Sequence, residues 1–148
     1  MLDQKFRKVI ELIAERLNKE GIGWMLTGSS NMAFQGINIA PRDLDVFVRF
    51  DDLDKARALF ADYDVSKIRE LKPLIDRPAW EVVFEIDGIN VQVLGEKDDG
   101  EYITDLLEGK TVEIEGVRCF DLATEAEVYT KTGREERAKT IRDFLEKA

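Results

Sequence analysis

Two aspartates separated by one residue, Asp43 and Asp45, stand at the head of a run in which Leu44, Val46, Val48 and Phe50 alternate with Asp43, Asp45, Phe47 and Arg49. That alternation is the period of a β-strand, so the two carboxylates share one face with Cα atoms about 6.6 Å apart. Two like charges about 4 Å apart at an effective dielectric of about 20 cost roughly 4 kcal/mol, so an inward-facing pair requires a cation between them. Aspartate oxygens suit Mg²⁺ or Mn²⁺; Mg²⁺ commonly takes one or two carboxylates and fills its other positions with water and phosphate oxygens. About fifteen residues earlier the apolar run Trp24-Met25-Leu26-Thr27 leads into Gly28-Ser29-Ser30. Glycine lets backbone approach a phosphate closely, a serine hydroxyl donates to it, and the free N–H groups at the start of a short helix favour an anion. The spacing of two acids alone carries nothing in this chain, because it recurs at Asp52/Asp54, Asp62/Asp64, Glu85/Asp87 and Glu113/Glu115. Only at Asp43/Asp45 does it open an apolar strand that follows a glycine-serine turn.

Composition narrows the alternatives. The chain has 148 residues, 22 Lys+Arg against 31 Asp+Glu, a net charge of −9, no histidine and one cysteine. An internal disulfide, a Cys/His zinc site, a Ser-His-Asp triad and an imidazole general base are therefore excluded, and any metal is held by oxygen. Cys119 reads as a small buried hydrophobe. The acidic balance argues against tight binding to duplex DNA, which depends on neutralising phosphates. With 44% hydrophobic residues the chain supports a core without staples. No apolar run approaches a membrane span and the start lacks a signal-peptide pattern, so we expect a cytoplasmic protein. The expected organisation is a single domain over 1–148, its core at about 1–120 and C-terminal helices at about 121–148.

The elements that must position the site follow from periodicity. Phe6, Val9, Ile10, Ile13 and Leu17 line one face of a helix from Asp3 to Glu20, ended by Gly21 and Gly23. A strand at Trp24–Thr27, a tight turn, and a short helix starting near Ser30 come next, then the Asp43 strand. Asp51 or Asp52 is expected to cap a helix to about Ala61, with Leu53, Ala56, Leu59 and Phe60 inward. Tyr63–Ala79 has no clear period and reads as a loop with one helical turn. Trp80–Ile86 and Ile89–Leu94 flank Asp87-Gly88, a strong hairpin signal, and a second hairpin joins Thr111–Ile114 to Val117–Phe120. Asp121 caps a helix to about Thr132, and Glu135–Lys147 carries Ala138, Ile141, Phe144 and Leu145 on one face. The fold class is α/β (α+β), a small mixed sheet flanked by helices.

The apolar strand running into Gly28-Ser29, the helix after it, and Asp43-Leu44-Asp45-Val46-Phe47-Val48 resemble the nucleotidyltransferase superfamily, which includes DNA polymerase beta and the minimal nucleotidyltransferases. The resemblance is firmest over about residues 24–50, and Lys131-x-x-Gly133-Arg134 is similar to the Lys and Arg segment that follows the core in small members. It implies the nucleotidyltransferase fold and a nucleotide-binding role for Gly28 and Ser29. Beside the resemblance, Ser30 at the start of the short helix, Arg42, which could reach a β- or γ-phosphate or neutralise Asp43, and Lys131 and Arg134 in the tail are the further candidate cofactor- and nucleotide-binding residues. The resemblance implies that Asp43 and Asp45 are both catalytic and metal-binding, coordinating Mg²⁺ (or Mn²⁺) while an acceptor hydroxyl attacks the α-phosphate of a nucleoside triphosphate. The acceptor, a small molecule, a protein or an RNA, is left open. The family usually adds a third carboxylate on a later strand, where this chain reads Gln92; Glu81 or Glu85 on the adjacent strand could substitute. That departure keeps an alternative in view, a catalytically impaired nucleotide-binding or antitoxin-like regulatory module with a protein partner.

Overall fold

The computed structural model describes residues 2–71 and 78–147. Its elements run α1 (Gln4–Lys19), β1 (Trp24–Thr27), α2 (Gly28–Phe34), β2 (Asp43–Arg49), α3 (Leu53–Leu59), β3 (Arg69–Leu71), β4 (Ala79–Ile86), β5 (Ile89–Glu96), α4 (Glu101–Leu107), β6 (Thr111–Ile114), β7 (Val117–Phe120), α5 (Leu122–Lys131) and α6 (Glu135–Lys147). The seven strands form one mixed sheet in the order β3-β4-β5-β2-β1-β7-β6. Strand β2 lies at its centre, antiparallel to β1 and parallel to β5. This is the mixed α/β architecture expected, one sheet flanked by helices.

The sheet is covered on both faces, and that fixes the register of β2. Leu44, Val46 and Val48 point into a core built with Val9, Ile10, Ile13 and Leu17 of α1 and Leu53 and Ala56 of α3. On the opposite face Phe47 packs with Met25, Ile103, Phe120 and Val128. A third cluster joins Met32 of α2 to Leu122, Ala126 and Tyr129 of α5 and Ala138 and Ile141 of α6. Because side chains alternate, a slip of one residue in β2 would drive Asp43 and Asp45 into the first core and expose Leu44. The burial of Leu44, Val46 and Phe47 thus holds the carboxylates at the open end of the strand.

Several elements depart from expectation. No turn separates β1 from α2: the helix begins at Gly28, with Thr27 at its cap position making no side-chain capping bond. The chain enters α3 through a 3-10 turn, Phe50–Asp52, and neither aspartate caps it; Asp52 instead approaches Lys55 at 3.6 Å, and the helix ends at Leu59. Part of the segment read as a loop is an edge strand: β3 pairs with β4, Arg69 opposite Glu81. A 3-10 turn at Ala61–Tyr63 supplies the expected helical turn; residues 72–77 of that loop lie outside the described residues. Leu145 is 40% exposed rather than inward, because α6 turns its Ala138–Ile141 side to the core. Both hairpins form about their expected turns, with Asp87 and Glu115 at positive φ. Among the described residues no helix is long and apolar enough to cross a membrane.

Candidate active site

The antiparallel register sets Thr27 opposite Asp45, so the first residues of α2 rise beside the aspartate strand. Gly28 has φ +69°, and a Cβ there would run into Asp45 Oδ2. Only glycine both adopts this conformation without cost and leaves room for the carboxylate. Ser30 is fully buried and its hydroxyl is consumed: Oγ donates to the Thr27 carbonyl at 2.9 Å and accepts from the Asp45 amide at 3.1 Å. Ser30 is therefore the clip that ties α2 to β2, whereas Ser29 faces the cleft.

That cleft, about 260 Å³, is lined by Ser29, Arg42, Asp43, Asp45 and Gln92 from the sheet side and by Arg134 and Arg137 from the C-terminal helices. A larger cleft of about 450 Å³ lies between α1 and the β6–β7 turn, near Arg7 and Glu115, and contains none of these groups. Chemistry rather than size marks the smaller one. Arg134 and Arg137 lie over the ring of Tyr129, at 5.2 and 5.7 Å from its centroid, and Arg137 donates to the Tyr129 hydroxyl at 3.3 Å. The ring thus fixes two long cations that would otherwise lose rotamer freedom on binding an anion. Lys131 is not brought to the cleft: its ammonium pairs with Glu101 of α4 at 3.5 Å. Arg137, three residues after Arg134, lines the cleft instead.

Burial dominates the electrostatics. Desolvation pushes the Asp45 carboxyl up to about 6, Asp43 adds to the rise, and Arg137 and Arg134 oppose it. Removing that penalty requires positive charge beside the pair, and two carboxylates backed by water and phosphate oxygens are a donor set that fits Mg²⁺. Asp43 also accepts a long contact from the Asn90 amide at 3.4 Å. Among the described residues no group of three or more carboxylates, cysteines or histidines could hold a metal. Gln92 is the register partner of Asp45 on β5.

Behind the start of α2 lies a residue that sequence reasoning missed. Glu125 of α5 is completely buried and accepts from the Gly28 amide at 2.9 Å and from the Asn31 side-chain amide at 2.9 Å. Asn31 also donates to the Phe120 carbonyl, and Gln35 donates to Asn31 Oδ1. Burial raises the Glu125 carboxyl to about 7; Asn31 and Gly28 lower it, and Asp45 raises it further. A signal was present: Leu122, Ala126 and Tyr129 form the apolar stripe of α5, and Glu125 falls on that stripe.

Comparison with solved structures places the architecture. The crystal structure of TM1012, a nucleotidyltransferase candidate from Thermotoga maritima, superposes with a TM-score of 0.75 at 26% identity, covering 100% of this chain and 97% of that one. The solution structure of the antibiotic-resistance factor ANT(2'')-Ia gives a TM-score of 0.61 at 13% identity, over 97% of this chain and 86% of that one. The same protein crystallised with adenylyl-2''-tobramycin gives 0.58 at 13% identity, over 97% and 90%. At that identity these two show the shared fold. No curated protein matches the sequence. The model of the aminoglycoside-2''-adenylyltransferase family matches residues 9–146, from within α1 almost to the end of α6, and the chain belongs to that family.

Proposed function

We propose that the cleft binds a nucleoside triphosphate with Mg²⁺ and transfers its nucleoside monophosphate to a hydroxyl of a small-molecule acceptor, releasing pyrophosphate. The observation that carries this reading is the convergence of Ser29, the Asp43/Asp45 pair and the Arg134/Arg137 pair on one cleft. The family name and the adenylyl product held by ANT(2'')-Ia favour ATP as donor and an aminoglycoside-like polyol as acceptor. A nucleotide substrate also favours a cytoplasmic setting.

Each residue has a physical task. Gly28 keeps its Cα clear of the carboxylate behind it, and Ser29 donates to a phosphate oxygen. Arg134 and Arg137, held on Tyr129, offer charge-assisted hydrogen bonds to the phosphates, with Arg42 as a third cation lining the cleft. Asp43 and Asp45 would hold Mg²⁺, which when bound supplies positive charge against the phosphates and the two carboxylates. In the reaction a bond forms from the acceptor oxygen to the α-phosphorus. The bond from that phosphorus to the bridging oxygen breaks, its electron pair leaves with pyrophosphate, and the hydroxyl proton is released with that product.

Calorimetric titration of the four nucleoside triphosphates, with and without Mg²⁺, on the native protein and on the Asp43→Asn/Asp45→Asn variant tests this. Metal-dependent binding that vanishes in the variant is expected; equal binding in both would overturn the site assignment. Gln92 supports a second reading, a module that binds the nucleotide but transfers it poorly, since an amide neither takes a proton nor adds charge. Saturable binding with no pyrophosphate release from any acceptor would favour that module.

A further inference from the structure

The sheet face that carries Asp45 continues outward as a chain of polar side chains. Gln92 is the neighbour of Asp45 in register, its Nε2 donates to Glu81 Oε1 on β4, and Glu81 Oε2 accepts from Arg69 on β3. Glu81 is only 4% exposed and is not among the residues lining the cleft, whereas Gln92 is. An ionised carboxylate has acceptors only, so the amide it contacts must turn its NH₂ end toward it. The carbonyl end of Gln92 is then the end left for the cleft.

We propose that Glu81, neutralised by Arg69, is a positioning residue that locks Gln92 in one amide orientation and so makes the third oxygen of the cleft a neutral carbonyl. This inference rests on the nucleotidyl-transfer reading for its use, but not for its geometry. It corrects the expectation that Glu81 could substitute as a third carboxylate, because Glu81 is spent on Arg69 and Gln92. Glu85, exposed at the Asn90 end of the hairpin, is likewise no neighbour of Asp45. The pair formed by positions 81 and 92 is coupled: a carboxylate at 92 would face the buried carboxylate of Glu81, so a single Gln92→Glu or Gln92→Asp change does not create a third ligand. The cleft instead carries two carboxylate charges and one hydrogen-bond acceptor that receives a hydroxyl without taking its proton.

The test is a charge swap read by two independent probes. Nitrogen-15 NMR of the native protein should show a Gln92 side-chain amide proton protected from solvent exchange, and Glu81→Leu, which offers no acceptor, should remove that protection. Mn²⁺ alone, followed by water-proton relaxation at pH 7, should bind Gln92→Glu no more tightly than the native protein. The double variant Glu81→Gln/Gln92→Glu, which restores the amide-carboxylate bond with the charge moved to the cleft, should bind it at least tenfold more tightly. An unprotected Gln92 amide in the native protein, or a gain in Gln92→Glu equal to that of the swap, would overturn the proposal. Failure of every form to bind Mn²⁺ would refute the metal site and the tighter-binding swap together, while the native amide signal still decides the orientation of Gln92.

Discussion

Replacing Glu125 with Gln should remove a pH dependence of stability, so that the variant is less stable than the native protein at acid pH and gains on it as the pH rises. The carboxyl lies at about 7 in the folded protein against 4.5 for a free glutamate. The folded state therefore holds the proton more tightly than the unfolded state. The stability this contributes is fully present below pH 4.5 and is lost as the pH rises through about 7. At about 1.4 kcal/mol per pH unit, that interval corresponds to about 3.5 kcal/mol. Glutamine matches the acid in volume and does not titrate, but its NH₂ cannot accept. One of the two N–H groups that face the two carboxyl oxygens, Gly28's or Asn31's, therefore loses its partner at every pH, a pH-independent cost of about 1–3 kcal/mol. Asp45 and Glu96 are also raised and add slopes of the same sign, but they remain in both proteins. The assay is urea unfolding followed by circular dichroism at half-unit steps from pH 5 to 8.5. Between pH 5 and pH 8.5 the variant should gain about 2.5 kcal/mol relative to the native protein. Parallel curves would refute the argument, since they would mean that Glu125 does not titrate between the two states.

Two further predictions concern the cleft itself. Gly28→Ala should cost about 1–2 kcal/mol of stability for the left-handed backbone alone, and its methyl should displace Asp45; loss of Mg²⁺-nucleotide binding by at least about tenfold in calorimetry is expected, and unchanged affinity would contradict the packing. Arg137→Ala should weaken nucleotide binding by about 1.5–3 kcal/mol, as loss of a hydrogen bond from a charged group implies. Lys131→Ala, which removes only an exposed ion pair with Glu101, should change it by less than about 1 kcal/mol. The reverse order in the same titration would show that Lys131 swings from Glu101 into the cleft.

What could be read from the sequence and what could not divide along a physical line. Elements with a strict period or a fixed turn were legible: α1 from its stripe, β2 from its alternation, β4–β5 from Asp87-Gly88. The site residues carried by α2 and β2 were legible because they lie within about twenty residues of one another. Contacts between distant segments were not. Nothing local marks β3, three residues whose order comes from pairing Arg69 with Glu81 across an edge. Ser30 looked like part of the phosphate turn, and only the approach of β2 shows its hydroxyl spent on the Asp45 amide. Lys131 turns away from the cleft and Arg137 toward it because the helical phase relative to a cleft is set by packing, here of Tyr129, Ala138 and Ile141 against α2.

The same packing resolves a tension in the composition. A chain of net charge −9 repels a triphosphate at long range, and a pair of aspartates inside the cleft adds to that repulsion. Arg42, Arg134 and Arg137 outnumber Asp43 and Asp45 by one among the cleft residues, so the local field is favourable only at short range, within about a Debye length of 8–10 Å at ordinary ionic strength. On the proposed reading, the nucleotide then arrives most readily with its cation already bound, which halves its charge before it meets the protein. In this arrangement the C-terminal helices are part of the site rather than an extension beside it: they bring both arginines, the ring that holds them, and the buried Glu125 that fixes Gly28 against Asp45.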